Sequence, residues 1–179
     1  MKGWIIYNGM LNIKKIDKLI QRMIIISNKE GVFLEKVKNT NIIPLYNEQK
    51  LKFVNKPKIK NPDFIIFWDK DIILARFLEN LGYKLYNSAK SIEYCDNKAK
   101  MHSVISLNSI KTPKTIMGPF TYHDYKKIDD KYFKKVFSYL GKEVIIKEVK
   151  GSFGKQVYKV SSKSELKAVL KKIKNNRFI

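Results

Sequence analysis

The 179-residue chain is 44% hydrophobic and 30% charged, which is the composition of an ordinary folded chain rather than a disordered or fibrous one. Its single cysteine, Cys95, excludes an intramolecular disulfide. With only His102 and His123 beside it, a four-ligand zinc site would need carboxylates or a partner chain. The formal charge of +21 comes from 37 basic and 16 acidic residues, yet Arg22, Arg76 and Arg177 are the only arginines, so the excess reads as a lysine-filled solvated surface. That argues against a nucleic-acid interface, where the bidentate guanidinium is favoured.

In chain order, Trp4 to Tyr7 is a short apolar run that reads as a buried strand, and Asn8-Gly9 a turn. Ile13, Ile16, Leu19, Ile20, Met23 and Ile24 then recur at helical spacing and predict an amphipathic helix. Gly31 closes that region, and Val32 to Val37 predicts a second strand. Lys56-Pro57-Lys58 and Asn61-Pro62 punctuate the chain before the apolar run Phe64 to Phe67, because proline restricts both itself and its predecessor. Asp69 is expected to cap a helix over Ile72 to Leu81, Gly82 to stop it, and Tyr83 to Tyr86 to form a further strand. Strand and helix alternating through short connections predict an α/β unit with a parallel sheet over about residues 1–88.

Asp96 is expected to cap a helix carrying Met101, Val104 and Ile105, within a linking helical segment at 89–111. From Pro113 the pattern changes. Tyr132 to Leu140 predicts a helix ended by Gly141, Val144 to Lys147 a strand, and Gln156 to Val160 its partner. Ser162 with Glu165 three residues later is a capping-box signal, and Leu166, Val169, Leu170 and Ile173 form the stripe of the helix it opens. This second unit, 112–179, is α+β in character. No apolar run is long enough to span a membrane and the amino-terminal residues lack a secretion signal, so the expected location is the cytoplasm.

The stretch Lys147-Glu148-Val149-Lys150-Gly151-Ser152-Phe153-Gly154-Lys155-Gln156 carries the chemistry. A loop with glycines at both ends can turn its backbone amides toward one point, while a lysine on the preceding strand adds a local positive charge, an arrangement suited to nucleotide phosphates. It is not the helix-opening phosphate loop, because no Gly-Lys-Ser/Thr triplet is present and a strand follows. A plain β-hairpin turn with a chance lysine would leave the same trace. Glu143 and Glu148 read as surface carboxylates and Cys95 as a buried or half-buried structural thiol. Neither histidine has metal-ligand spacing, and no catalytic base is assigned.

The order of these pieces resembles the amino-terminal part of an ATP-grasp ligase, most closely the RimK-like glutamate-ligase branch. The resemblance runs through Trp4 to Gly9, Pro62 to Asp71, Leu85 to Ala89, Ile92 to Lys98, Ile110 to Thr115 and the glycine loop, nearly the whole chain. It implies a parallel-sheet domain preceding the first, incomplete α+β subdomain of an ATP-grasp fold. It also implies that Lys98 and Lys147 are the two nucleotide-binding lysines, and that Gly151, Ser152, Phe153 and Gly154 close over the triphosphate. Asn8 and Asn87 are expected on a polar rim of the acceptor side. The implied reaction joins a carboxylate to an amine through an acylphosphate, with ATP and, in a complete enzyme, magnesium.

Relatives continue past the position of Asn176 to Ile179 into a second subdomain holding the magnesium ligands, so the 179-residue chain is expected to lack those ligands and the activity. Phe178 and Ile179 are then candidates for an apolar edge that self-associates or receives a partner chain, and Phe120 and Tyr122 are expected in a poorly ordered connection. Two other readings are a non-catalytic interaction protein that keeps the fold and a basic nucleic-acid-binding module. The carboxylate and the amine are not legible.

Overall fold

The first strand, β1 (Lys2–Tyr7), is buried at every position after Lys2. A run apolar on both faces belongs in the middle of a parallel sheet covered on both sides, and that is where it lies. The computed structural model describes residues 1–11, 13–120, 128–151, 154 and 156–173. Tyr122, His123, Ser152, Phe153, Asn176, Arg177, Phe178 and Ile179, to which expectations attach above, fall outside the described residues. The chain divides into two units, Met1–Glu93 and Tyr94–Ile179, with the division inside one helix.

In the first unit, β1 is flanked by β2 (Phe33–Lys38) and β5 (Phe64–Trp68), and β6 (Leu85–Tyr86) closes the order β2-β1-β5-β6, every pair parallel. Trp4 and Ile6 face α2 (Ile72–Asn80) through Leu74, Ala75 and Leu78, while Ile5 and Tyr7 meet Ile20 of α1 (Lys14–Lys29). The period-2 alternation of β1 thus feeds two hydrophobic layers. Between β2 and β5 the chain forms a hairpin, β3 (Ile42–Leu45) and β4 (Lys50–Phe53), which the sequence reading passed over. The carboxylate of Glu35 accepts from the amides of Lys58 and Ile59 at 2.9 and 2.8 Å, and the Trp4 indole donates to the Ile59 carbonyl at 2.9 Å. These bonds pin the proline-containing segment to the sheet.

Asp69 does not cap α2. Asp71 does, accepting from the Leu74 amide at 2.9 Å. Asp69 is held elsewhere: one oxygen accepts from Asn39 at 2.8 Å, the other from Asn8 at 3.3 Å and from the Lys70 amide at 2.7 Å. It links the carboxyl ends of β1, β2 and β5. The strand expected over Tyr83 to Tyr86 is confined to Leu85–Tyr86, because only those two residues pair with β5. Gly82, at φ +87, ends α2 as expected.

The second unit begins within α3 (Ala89–Asp96), and α4 (Lys98–Leu107) follows at once. Asn97, not Asp96, caps α4, accepting from the Lys100 amide at 3.0 Å, since Asp96 is still the last residue of α3. The helix α5 (Asp130–Leu140) stops at Gly141, whose φ of +103 an L side chain rarely adopts. Strands β7 (Val144–Lys147) and β8 (Val157–Val160) pair antiparallel, and α6 (Lys163–Lys172) returns across them. Ser162 caps α6 through the Glu165 amide at 3.2 Å, while the Glu165 carboxylate reaches back to the Ser161 amide at 2.8 Å. Leu166, Val169, Leu170 and Ile173 are buried with Phe133, Val144, Ile146 and Val160 in one core. Among the described residues no helix is long and apolar enough to cross a membrane.

Candidate functional site

Strand β7 sorts its side chains by alternation. Val144 and Ile146 enter the core, while Ile145 and Lys147 stand exposed on the opposite face. The ladder runs one step beyond the strands, the Glu148 amide donating to the Gln156 carbonyl at 3.1 Å, so the loop opens at Val149. Val149 is buried, and Gly151 and Gly154 have φ of +150 and +71. At Gly151 an added Cβ would lie 2.6 Å from Gln156 Oε1, which makes glycine doubly required there; at Gly154 the space is open and only the backbone demands it. Ser152 and Phe153, expected in this loop, lie outside the described residues.

Lys98 and the loop are brought together. The Lys98 amide donates to the Val149 carbonyl at 3.0 Å, its ammonium donates to the Gly151 carbonyl at 2.9 Å, and Asn97 forms an isolated bridge with Lys150. Lys147 stands exposed at the end of β7 with no carboxylate at ion-pair distance among the described residues.

Beside Lys147 opens a cavity of about 400 Å³. Ile145, Val136, Leu140, Leu166 and Leu170 supply its apolar wall, and His102, Lys114, Thr115, Tyr132, Glu143 and Lys147 its polar groups. The size and the mix of apolar wall with a few polar groups are those of a small-molecule site. The Tyr132 hydroxyl is buried without a hydrogen-bond partner among the described residues, and burial raises its pKa above the ordinary phenol value. A buried hydroxyl left unpaired is costly, and a ligand oxygen or nitrogen in the cavity would satisfy it. Sequence reasoning missed His102, Tyr132 and Ile145 as lining residues. Only Ile145 carried a signal, its alternation with Lys147.

Glu143 pairs with Lys159 at 2.7 Å, both side chains well exposed, and Glu148 is half-buried, whereas Cys95, expected to be buried or half-buried, is exposed. Among the described residues no three His, Cys, Asp or Glu side chains gather where they could hold a metal ion. Asn8 and Asn87 are not brought to one rim. Asn8 is occupied by Asp69 and by the Met10 amide, whereas Asn87 lines a separate open depression with Phe64, Ile66, Lys84 and Tyr86.

The two units together have the α/β architecture of the ATP-grasp fold. A RimK-domain ATP-grasp protein from Sphaerobacter thermophilus superposes with a TM-score of 0.67 at 12% identity, covering 99% of this chain and 62% of that one. The D-alanine–D-alanine ligase of Bacillus anthracis does so with a TM-score of 0.67 at 17% identity, covering 99% and 56%. In sequence, the chain is 35% identical over 127 residues to an uncharacterized protein of Mycoplasma genitalium, which is 69% of this chain and 43% of the relative. It is 27% identical over 136 residues to the alpha-aminoadipate–LysW ligase LysX of Sulfurisphaera tokodaii, 72% of this chain and 45% of the relative. The chain thus spans less than half the length of these curated relatives. No family model matches it.

Proposed function

We propose that these residues form the nucleotide-binding part of an ATP-dependent carboxylate–amine ligase of the RimK-like branch. The observation that carries the reading is a 400 Å³ cavity with an apolar wall beside Lys147, on the strand that leads into the glycine-flanked loop. In this reading Ile145 and its apolar neighbours take the purine, and Lys147 lies along the phosphates. The loop from Gly151 to Gly154, Ser152 and Phe153 included, covers the triphosphate, with Lys98 at its base. Cations and amides fixed before the reaction lower the cost of charge moving onto the transferred group.

The reaction proposed for the complete enzyme has two steps. A carboxylate oxygen attacks the γ-phosphorus and ADP departs, leaving an acylphosphate. An amine nitrogen then attacks the acyl carbon, inorganic phosphate leaves with the C–O electron pair, and the nitrogen loses its proton, giving an amide. No described residue is assigned to magnesium or to the proton transfers. The names of the structural and sequence relatives support ligase chemistry as a class; the particular acid and amine stay outside the proposal.

The test is calorimetric titration with ATP of the wild-type 179-residue protein and of Lys147→Ala. One exposed charge–charge contact contributes about 1–2 kcal/mol at an effective dielectric well above that of a dry interior, so the variant is expected to bind about 5- to 30-fold more weakly. Adenosine affinity should change less than threefold. Absence of saturable ATP binding by the folded wild-type protein would overturn the reading.

A further inference from the structure

The amino end of α4 is bound to the glycine loop at three successive residues. The Lys98 amide holds the Val149 carbonyl at 3.0 Å, Asn97 bridges to Lys150, and the Lys98 ammonium holds the Gly151 carbonyl at 2.9 Å. Asn97 is itself fixed by capping α4, so the backbone that carries Lys98 is set by the helix start. From the other side the Gln156 carboxamide lies against the Cα of Gly151, its Oε1 2.6 Å from where a Cβ would stand. That oxygen is buried with no partner among the described residues. Gly151 is therefore gripped twice, by a charge-assisted bond on its carbonyl and by packing over its α-carbon. Charge-assisted hydrogen bonds are the stronger kind, and this one is partly buried.

We propose that Lys98 is a positioning residue: its ammonium holds the Gly151 carbonyl and sets the base of the glycine loop before any nucleotide arrives. Its effect on binding passes through the loop, not chiefly through the charge it presents to phosphate. A carbonyl oxygen held by an ammonium is withdrawn from the approach of an anion, which would otherwise be repelled by it. The functional half of this inference rests on the nucleotide-binding reading above. The structural half does not.

The experiment is amide hydrogen exchange, followed by NMR on the nucleotide-free 179-residue protein, for wild type, Lys98→Met and Lys98→Arg. The reporters are the amide of residue 98, bonded to Val149, and that of Glu148, bonded to Gln156. In Lys98→Met both are expected to exchange about tenfold faster, while the amides of α5, α6 and the first unit keep their rates. Lys98→Arg, which keeps a charged donor, should stay within about threefold of wild type. Unchanged exchange at both reporters in Lys98→Met overturns the proposal, and so does a uniform rise across α5, β7, β8 and α6, which would be a loss of global stability.

A second arm compares ligands. Positioning predicts that Lys98→Met weakens ATP and ADP by similar factors, whereas a direct contact to the terminal phosphate would weaken ATP alone and overturn the proposal. If no nucleotide binds, the exchange arm still decides the role of Lys98 and only the ligase reading falls.

Discussion

Replacing Gly151 with alanine tests the loop at its most constrained point. Two penalties apply, and the structure separates them. The first is backbone: φ of +150 is a conformation L residues rarely adopt, worth about 1–3 kcal/mol. The second is contact: the new Cβ would meet Gln156 Oε1 at 2.6 Å and Cδ at 3.1 Å. Because the nearest atom ends a flexible side chain, this part is the smaller, about 1 kcal/mol. If the loop must keep its shape to bind triphosphate, a total of about 2–4 kcal/mol weakens ATP about 30- to 800-fold, read by calorimetric titration. The double variant Gly151→Ala/Gln156→Ala should recover about fivefold of that loss, the share due to contact. ATP affinity of Gly151→Ala within threefold of wild type would refute the reasoning, and so would full recovery in the double variant, which would leave no backbone penalty.

Three further outcomes follow from the fold. Asp130 is paired with Lys163 and Lys167, and those hydrogen bonds lower its pKa from 3.8 to about 2. A depressed carboxylate pKa gives stability that is present in full above about 3.8 and lost as pH falls toward 2; acid titration of Asp130→Asn should lack that share of the destabilisation of the second unit. Asp71→Ala removes the α2 cap and should destabilise the first unit by about 1 kcal/mol, measured by urea unfolding, while Asn at the same position should cost far less. Leu170→Ala, at a side chain only 1% exposed in the second core, should cost about 2–5 kcal/mol and leave the first unit's unfolding transition in place.

What the sequence made legible follows from periodicity. The stripe Leu166, Val169, Leu170, Ile173 and the alternation of β7 both lie within single elements, and both are buried as read. The β3–β4 hairpin was not legible because β4 holds only two apolar residues, Leu51 and Phe53, alternating with Lys50 and Lys52, and Pro44 interrupts β3. The two caps were misplaced for a shared reason. Asp69 and Asp71, like Asp96 and Asn97, are near neighbours able to do the same work, and only tertiary contacts choose between them: Asp69 is claimed by Asn8 and Asn39, and Asp96 by the end of α3. The loop and its two lysines were visible as a pattern, but His102, Tyr132 and Lys114 come from three separated segments. No spacing rule could gather them on one cavity wall.

The parallel pairing of the first unit also bears on the order in which the chain acquires structure. β1 and β5 meet across a separation of about 61 residues, as in the bond from the Lys2 amide to Asp63. β7 and β8 close through a short loop and are covered by the helix that follows directly. Contacts local in sequence form in about microseconds, while distant strand pairing must first meet the entropy of closing a long loop. A chain leaving the ribosome therefore exposes the apolar run of β1 until Phe64 to Trp68 has emerged to lie beside it. During that interval Trp4, Ile5 and Ile6 are the residues most open to capture by a chaperone or by a neighbouring chain, although in the finished fold they are among the most deeply enclosed.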